Sequence, residues 1–349
     1  MRIQPAPPEV HDEFYDAAGR FWLPVARSVD VPIGGRLASR LLGEDLVVWR
    51  DYHGQVTVLD NLCLHRGTML SDGEVTGSGN LACPYHGWEY GSDGACVRIP
   101  QLPPETKIPS KARVGAHPVR EQNGLIWTRL ASSGEAEADV PPCPNFGEAA
   151  WTFHVGTPSD WHCQATRMVE NFLDVAHFGY IHADTFGNPD VSSVVPTSVR
   201  TSPDMLHIDA KVPYLARDPW GKPPEGQDFA VVDVEYDYHY DVPFTAWIRG
   251  VTKGDEYILF VSAAPRTVAE TTVFWAFGVP DSLQVSADEI ERRENAVFSP
   301  DRFIVEGQRP EWLPLDLAAE LHMRFDSIGL NLRRSLNHHG FPVVSLLRA

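Results

Sequence analysis

The sequence is poor in basic residues, in cysteine and in long apolar runs. Lysine and arginine total 29 against 47 aspartates and glutamates, and the formal charge of −18 argues against nucleic acid or an anionic membrane as a partner. No stretch reaches the roughly 18 apolar residues that span a bilayer, and the N-terminal residues lack the apolar core of a signal peptide. We therefore expect a cytoplasmic protein with no nucleic-acid or membrane partner.

Two further absences concern the chemistry of the chain. Its five cysteines are an odd number without the dense spacing of a disulfide scaffold, which favours reduced thiols or metal ligation. No Gly-x-Gly-x-x-Gly sequence follows a predicted strand, so the fingerprint of a dinucleotide site is missing. With 349 residues, 43% of them hydrophobic, the chain has the size and composition of a globular protein with about two domains.

Strand patterns divide the chain into two domains. Short strands separated by turn signals, such as LVVWRDY and GLIWTRL, predict an all-β domain over residues 21–130. Residues 131–146 are rich in Ser, Glu, Ala and Pro and predict a linker. Residues 147–349 form the second domain, and we expect the N-terminal segment 1–20 to pack on it.

The second domain combines strands with helices, which gives the fold class α+β. EYILFVSAAP and TTVFWAFGVP have no helical crossover between them and predict antiparallel neighbours of a third strand, DFAVVDVEYDYHY. Apolar residues from Leu317 to Leu336 recur every three or four positions and predict one long C-terminal helix. The tyrosines of the third strand face either an aromatic substrate or the helices. Its buried face carries Val232, Val234, Tyr236, Tyr238 and Tyr240.

Two loops of the first domain each combine one cysteine with one histidine. CLHRG contains Cys63 and His65, and CPYHGWEY contains Cys83 and His86. Two thiolates and two imidazoles are the ligands of a Rieske [2Fe-2S] centre, in which the thiolates hold one iron and the imidazoles the other. The same residues also satisfy a structural zinc ion. Zinc loops usually pair cysteine with cysteine and histidine with histidine, so the mixed pairs favour the cluster.

A second metal-binding pattern occupies residues 170–182, ENFLDVAHFGYIH. Asp174 and His177 are three residues apart and would share one face of a helix. His182 follows His177 by five residues, so both imidazoles can reach one ion only if the helix ends or distorts between them, which Gly179 would permit. Two imidazoles and a carboxylate leave open positions on a non-haem iron for dioxygen and substrate.

The third iron ligand must come from elsewhere in the chain. We favour Asp301 in SPDRFIVEGQ, at the predicted start of a helix whose other face carries Phe303 and Ile304. Glu306 is the substitute candidate. Because acidic residues are common at helix starts, Asp301 could also have no role beyond the helix.

The two loops resemble the cluster-binding loops of Rieske proteins, and ENFLDVAHFGYIH and DRFIVEGQ are similar to catalytic segments of Rieske non-haem iron oxygenase α subunits. The resemblance implies an all-β Rieske domain and a catalytic domain with helices packed on an antiparallel sheet, a helix-grip-like fold. It also implies a Rieske-type [2Fe-2S] cluster and a mononuclear Fe(II) as cofactors, with O2 as co-substrate.

The family motifs imply a role for each of these residues. Asp174 would link the two metal centres by hydrogen bonding to His177 and, across a subunit boundary, to His86. Asn171 would lie near the iron. The implied cluster ligands are Cys63, His65, Cys83 and His86, and the implied iron ligands are His177, His182 and Asp301.

The implied function is that of a terminal oxygenase of the demethylase and monooxygenase branch. It would hydroxylate or oxidatively demethylate a small aromatic or heterocyclic compound, with electrons from a separate NAD(P)H-dependent reductase and possibly a ferredoxin. A homotrimer would place the cluster of one subunit beside the iron of the next. The alternatives are N-oxygenation of an aromatic amine to a nitro compound, cis-dihydroxylation, a Rieske electron-transfer protein, and a zinc-stabilised binding module.

Overall fold

The computed structural model describes residues 8–130, 136–191, 193–218 and 230–343. The chain divides into two compact units, one of residues 19–140 and one of residues 1–18 with 141–349. Residues 1–7 of the expected N-terminal segment and residues 131–135 of the predicted linker lie outside the described residues. In the described part of the chain, no helix is both long and apolar enough to cross a membrane.

The first unit contains three antiparallel sheets and, in its described residues, no α-helix beyond the end of the N-terminal one. Their strand orders are β1-β11-β10, β2-β3-β4-β9 and β5-β6-β7-β8. The prediction of an all-β domain is therefore confirmed. The strands are β1 Leu23–Arg27, β2 Arg36–Leu41, β3 Glu44–Arg50, β4 Val56–Asp60, β5 Glu74–Val75, β6 Leu81–Ala82, β7 Glu89–Tyr90, β8 Cys96–Arg98, β9 Ala116–His117, β10 Val119–Gln122 and β11 Leu125–Thr128.

One apolar cluster joins two of these sheets. Trp49 and Leu59 from β3 and β4 pack in the same core as Tyr90 from β7, and all three are wholly buried. Cys63 and Cys83 belong to this core as well. Because well-packed side chains are held in fixed rotamers, the core fixes where the two thiols lie.

The second unit is an eight-stranded antiparallel sheet with helices, so the α+β prediction is confirmed. The strand order is β12-β19-β18-β17-β16-β15-β14, and β13 pairs with β19. The elements are α1 Pro8–Gly19, β12 Trp151–Val155, β13 Ser159–Trp161, α2 Ala165–Leu173, α3 Phe178–Ile181, β14 Ser198–Thr201, β15 His207–Arg217, β16 Val231–Asp241, β17 Thr245–Val251, β18 Glu256–Pro265, β19 Thr271–Pro280, α4 Ala287–Gly307 and α5 Ser327–His338.

The three strands predicted for the second domain all belong to this sheet. β16 buries Tyr236, Tyr238 and Tyr240 on one face, as its alternation predicts. β18 and β19 pair antiparallel with each other. The strand β17 lies between β16 and β18 and was not predicted.

The N-terminal helix α1 packs on aromatic side chains of the second unit. The ring centroid of Phe14 lies 5.9 Å from that of Phe244 and 5.7 Å from those of Trp312 and Phe341. Offset and edge-to-face contacts of this kind add to the free energy gained by burying the rings. Helix α1 is therefore part of the core of this unit rather than a free extension.

The prediction of one long C-terminal helix is wrong for its first half. Helix α5 begins only at Ser327, and Leu321 lies outside it with 89% of its surface exposed. At the start of the non-helical half, the Asp316 carboxylate accepts a hydrogen bond from Ala318 N at 3.0 Å and forms a local turn that competes with a helix. The Glu320 carboxylate in the same segment pairs with Arg167 and Arg333, so tertiary contacts override the apolar spacing there.

On the face of β16 opposite the tyrosines, two histidines meet a buried aspartate. Asp241 Oδ1 lies 2.7 Å from His207 Nδ1 and 3.2 Å from His239 Nε2, and His239 Nδ1 lies 2.7 Å from Asp209 Oδ1. Burial by itself lowers the pKa of His239, but the hydrogen bonds to both carboxylates outweigh it and raise the pKa to about 9. His239 is therefore an imidazolium at neutral pH.

We predict that His239→Gln lowers the free energy of unfolding by about 1–3 kcal/mol at neutral pH, because charge-assisted hydrogen bonds are lost. The folded-state pKa, about 9, exceeds that of a free histidine, about 6.5. The stabilisation is thus complete below about pH 6.5 and is lost as the pH rises through about 9. Urea unfolding of the wild type and of His239→Gln between about pH 6 and 10 measures the difference in their free energies of unfolding. A difference that does not change with pH would contradict the prediction.

Candidate metal centres and active-site cavity

The two Cys-His loops of the first unit are closed by the same hydrogen bond. Gly67 N donates to Cys63 O at 2.8 Å, and Gly87 N donates to Cys83 O at 3.0 Å. Both glycines have positive φ, +67° and +69°, a conformation that other residues rarely adopt. Each turn brings the chain back to its cysteine, so the histidine inside the turn stays near the thiol.

The four predicted cluster ligands come together at the end of the first unit's core. Cys63 and Cys83 are buried, and the ring centroids of His65 and His86 lie 4.6 Å apart. Burial raises the pKa of the Cys83 thiol, and His65 Nδ1 is buried with no hydrogen-bond partner among the described residues. Buried thiols without a charged partner and an unsatisfied imidazole nitrogen are groups that a metal cluster would satisfy.

Aromatic side chains cover this group of ligands. The indole of Trp88 stacks on His65 with the ring centroids 4.6 Å apart and the planes within 3°. The Tyr90 hydroxyl lies 3.2 Å from Cys63 Sγ. Burial raises the pKa of the Tyr90 phenol, which keeps it protonated and therefore a hydrogen-bond donor to a thiolate. The contact between Tyr90 and Cys63 was not predicted from the sequence.

In the second unit, the helix expected over Asp174 and His177 is interrupted. Helix α2 ends at Leu173, and Asp174 has extended backbone angles, φ −81° and ψ 125°. The prediction that Asp174 and His177 share a helix face is therefore wrong. The Asp174 carboxylate accepts a hydrogen bond from Ala176 N at 2.8 Å and so forms a local turn that competes with the helix.

The short helix α3 separates the two histidines. His177 directly precedes α3 and His182 directly follows it, so the two imidazoles flank one helical turn instead of lying on either side of the end of a longer helix. Gly179 lies inside α3 and does not terminate a helix. A Cβ atom at Gly179 would lie 2.9 Å from Asn188 O, so the glycine permits a close approach of the chain segment that follows.

The side chains of His177, His182 and Asp301 converge on one point. The Nε2 atoms of the two histidines lie 3.1 Å apart. Asp301 Oδ1 lies 3.5 Å from His177 Nε2 and 3.3 Å from His182 Nε2. His182 is 2% exposed in its side chain, and Asp301 Oδ1 has no hydrogen-bond partner among the described residues. Neighbouring donors at about 2.1 Å from one metal ion lie roughly 3 Å apart, so these three atoms fit a mononuclear site.

Asp301 is in the middle of a helix rather than at its start. Helix α4 begins at Ala287, where the Ser286 hydroxyl accepts a hydrogen bond from Glu289 N, and continues through Pro300. The Ser-Pro pair imitates a helix start because proline favours the first turn. Phe303 is exposed on the opposite face, as predicted.

Glu306 lies elsewhere and is excluded as the third ligand. Its carboxylate accepts hydrogen bonds from His162 N at 2.9 Å and from Arg302 Nε at 2.8 Å. These contacts satisfy the charge of the carboxylate. Among the described residues, the group of possible metal ligands in this place consists of His177, His182 and Asp301.

Asp174 contacts the outer nitrogen of an imidazole. Its Oδ2 lies 3.4 Å from His177 Nδ1, while His177 Nε2 faces Asp301. The side chain of Asp174 is 38% exposed, so it also faces solvent in this chain. Asn171 lines two hollows of this unit, a cavity that also contains His177 and a surface depression that also contains Asp174.

A cavity of about 350 Å³ opens onto the three converging side chains. Its walls come from α2, α3, α4 and strands β16 to β19 and are mostly apolar and aromatic. Tyr236 lines the cavity, whereas Tyr238 and Tyr240 are not among the residues that do, so only one member of the tyrosine face can meet a ligand. Arg293 and Glu294 also line it, although in the sequence they resemble ordinary surface charges of a helix.

Comparison with known proteins places both units in described families. Residues 21–115 match the Rieske [2Fe-2S] domain, and residues 161–339 match the vanillate O-demethylase oxygenase C-terminal domain. Two Pseudomonas putida proteins match over 90% of this chain and 87% of their own length: the methylxanthine N1-demethylase NdmA at 28% identity and the methylxanthine N3-demethylase NdmB at 26%.

Solved structures resemble the chain over most of its length. The structure of NdmA with caffeine has a TM-score of 0.78 and 25% identity and covers 97% of this chain and 99% of that one. Dicamba monooxygenase bound to dicamba has a TM-score of 0.77 over 93% of this chain and 97% of that one. At 20% identity the second likeness supports the fold alone.

We predict that Tyr90→Phe lowers the midpoint potential of a cluster bound by Cys63. A hydrogen bond to a thiolate favours the reduced, more negative cluster, and a loss of about 1 kcal/mol corresponds to on the order of 50 mV for one electron. Protein-film voltammetry measures the shift. Tyr52→Phe is the matched control, because its hydroxyl contacts Val75 O instead of a sulfur. Equal potentials for wild type and Tyr90→Phe would contradict the assignment.

Proposed function

Because the chain belongs to the Rieske non-haem iron oxygenases, with a C-terminal domain of the vanillate O-demethylase type, we propose that it is the terminal oxygenase of a multicomponent system. It uses O2 and externally supplied electrons to demethylate oxidatively, or to hydroxylate, a small aromatic or heterocyclic compound. The observation that carries the proposal is the convergence of His177, His182 and Asp301 on the wall of an apolar cavity.

Relatives that span most of the chain favour demethylation within this class. The two Pseudomonas putida proteins named above, which match over 90% of it, are N-demethylases of methylxanthines. N-oxygenation and cis-dihydroxylation are therefore less favoured. A Rieske electron carrier would need neither a second group of metal ligands nor a cavity beside them, and a zinc module would not belong to this family.

The cluster site consists, in this proposal, of Cys63 and Cys83 on one iron and His65 and His86 on the other. Support comes from the matching turns of the two loops and from the burial of both thiols in one core. The cluster supplies stored electrons when bound. Trp88 holds His65 by stacking, and Tyr90 donates a hydrogen bond to Cys63, so both loops keep their ligands in place.

The second site holds Fe(II) through His177, His182 and Asp301. When bound, the ion would supply the site of O2 activation, and His177, His182 and Asp301 would hold it at the wall of the cavity. Phe186 stacks on His182 with the ring centroids 4.8 Å apart, which fixes the imidazole and covers it from solvent. Aromatic walls favour flat apolar rings and exclude water from the reacting group. Among the lining residues these walls include Phe172, Phe178, Phe186, Phe277 and Phe298.

Electrons come from a separate NAD(P)H-dependent reductase, directly or through a ferredoxin. The absence of a dinucleotide fingerprint in the sequence supports a separate reductase. The substrate binds in the cavity of the second unit, whose volume of about 350 Å³ suits a molecule of one or two rings.

A second copy of the chain is the proposed partner of the surface around Asp174. The depression there, of about 170 Å³, is lined by Gln308, Leu321 and His322. Gln308 Oε1 and His322 Nε2 are buried without a hydrogen-bond partner among the described residues, although such atoms are normally satisfied. In the first unit, Tyr85 is 64% exposed next to His86. Docking the cluster loops of one subunit into this depression of the next would form a closed homotrimer.

In that trimer Asp174 hydrogen-bonds His177 within its own chain and His86 of the neighbouring subunit. The 3.4 Å contact to His177 Nδ1 and the exposure of the carboxylate support this role. A carboxylate on the outer nitrogen orients the imidazole and increases its basicity as a ligand. The same residue can thus couple the two centres.

The function is tested with Asp174→Asn. We expect wild-type protein to contain about three irons per chain and to release formaldehyde from members of a panel of N-methyl and O-methyl aromatic compounds, when a surrogate reductase and NADH are supplied. The variant should retain the irons and lose activity by a factor of at least about ten, as outer-shell partners of metal ligands do. About two irons per chain in the wild type would overturn the oxygenase assignment, and full activity of the variant would remove the role of Asp174.

The trimer is tested with Leu321→Asp, which places a charge on the exposed rim of the depression. Light scattering should give a mass of about three 38.8 kDa chains for the wild type and one for the variant. The variant should keep the absorption of its cluster and lose turnover. Asp288→Asn, a surface change on α4, is the control and should remain trimeric. A monomeric wild type with full activity would contradict the trimer.

A further inference from the structure

Glu294 is a buried acid whose carboxyl group has no hydrogen-bond donor among the described residues. It lies on α4, is 7% exposed and lines the cavity. Buried carboxyl groups are normally hydrogen-bonded or ion-paired, because leaving one without a partner is costly. A group of this kind at a cavity wall is available to a ligand.

The distance between Glu294 and the iron-binding residues sets the length of a small molecule that could contact both. Glu294 precedes Asp301 by seven residues on the same helix, which is nearly two turns or about 10 Å along the helix axis. Both residues line the cavity. A molecule of one or two rings can therefore place one end near His177, His182 and Asp301 and the other end at Glu294.

The charges of the cavity favour a nitrogen base over an acid. Among the described residues, the lining includes, besides Asp301, four acidic residues and one base, Arg293. Arg293 interacts electrostatically with three of these acids, Glu294, Glu289 and Asp218, so its charge is already offset. An aromatic carboxylate would enter a region of net negative charge, where like charges repel it. The four acids are Asp184, Asp218, Glu289 and Glu294.

The state of Glu294 is sensitive to what binds beside it. Burial raises its pKa to about 7, and Arg293 opposes the shift only in part. A positive charge or an N–H donor would stabilise the carboxylate, whereas an apolar group would leave it unsatisfied. Tyr257 from β18 is also close, but its hydroxyl bonds to Tyr236 at 3.3 Å.

We infer that Glu294 selects the substrate and that the cavity takes an aromatic or heterocyclic compound carrying an amino group or ring N–H at the end remote from the iron. This inference rests on the proposed function and narrows its substrate class. Aromatic carboxylates, such as the dicamba bound by dicamba monooxygenase, are excluded by the same charges. Glu294 acts by hydrogen bonding to the substrate and takes no part in proton or electron transfer.

Three probes with the same ring and the same methoxy group test the inference: 4-methoxybenzylamine, 4-methoxytoluene and 4-methoxybenzoate. Their dissociation constants are measured by calorimetry on oxidised holoprotein, so that binding is separated from turnover. We expect the amine to bind at least about tenfold more tightly than the neutral ether, and the benzoate to bind more weakly than both. Benzoate binding as tight as that of the amine would overturn the inference.

Two variants distinguish a specific contact from a general loss of the cavity. Glu294→Gln should lose about tenfold in affinity for the amine and leave that for 4-methoxytoluene unchanged. Asp288→Asn removes the same charge from an exposed position of α4 and should change neither affinity. If Glu294→Gln lost affinity equally for all three probes, the role of Glu294 would be structural and the inference would be overturned.

Turnover of the same probes separates this inference from the function it rests on. Release of formaldehyde from the benzoate but not from the amine would refute the role of Glu294 and leave the oxygenase intact. Preferential binding of the amine without formaldehyde from any probe that binds would instead contradict the proposed demethylation.

Discussion

A buried carboxylate facing two imidazole nitrogens is the constraint on which the second unit depends. Asp301 Oδ1 has no hydrogen-bond donor among the described residues, and it lies 3.3 to 3.5 Å from two Nε2 atoms. Such a group is unfavourable unless a cation offsets it. The break between α2 and α3 positions the two histidines, and the long helix α4 positions Asp301, so that these atoms come together. A metal ion held by these residues, as proposed above, would offset this cost and would couple metal binding to folding.

The same constraint links the metal site to substrate recognition. Because Asp301 and Glu294 share one helix, a rigid element separates the reacting end of the cavity from its polar end. Sites on helices are held more precisely than sites on loops. The apolar walls between the two acids strengthen both interactions, since charges act over a lower dielectric there.

The sequence was sufficient for the fold class and for the motifs whose side chains converge in the structure, and insufficient for what depends on tertiary contacts. The Cys-His loops and the Asp-His-His segment are local patterns, so spacing alone located them. The boundaries of α4 and α5 depend on contacts that spacing does not contain, such as the hydrogen bond from Glu289 N to Ser286 and the ion pair between Arg333 and Glu320. Similarly, Tyr90 and Glu294 acquire their roles only through residues distant in the chain, and a charged helix such as ERRENAVF gives no sign of a buried face.

The most direct test of the account is a single turnover followed by electron paramagnetic resonance. Holoprotein is reduced with dithionite, freed of excess reductant, given a methoxybenzene that binds, and mixed with O2. The account predicts that the signal of the reduced cluster disappears as formaldehyde forms in the wild type, and that in Asp301→Ala the signal persists and no formaldehyde forms. Reoxidation with product formation at the wild-type rate in Asp301→Ala would contradict it.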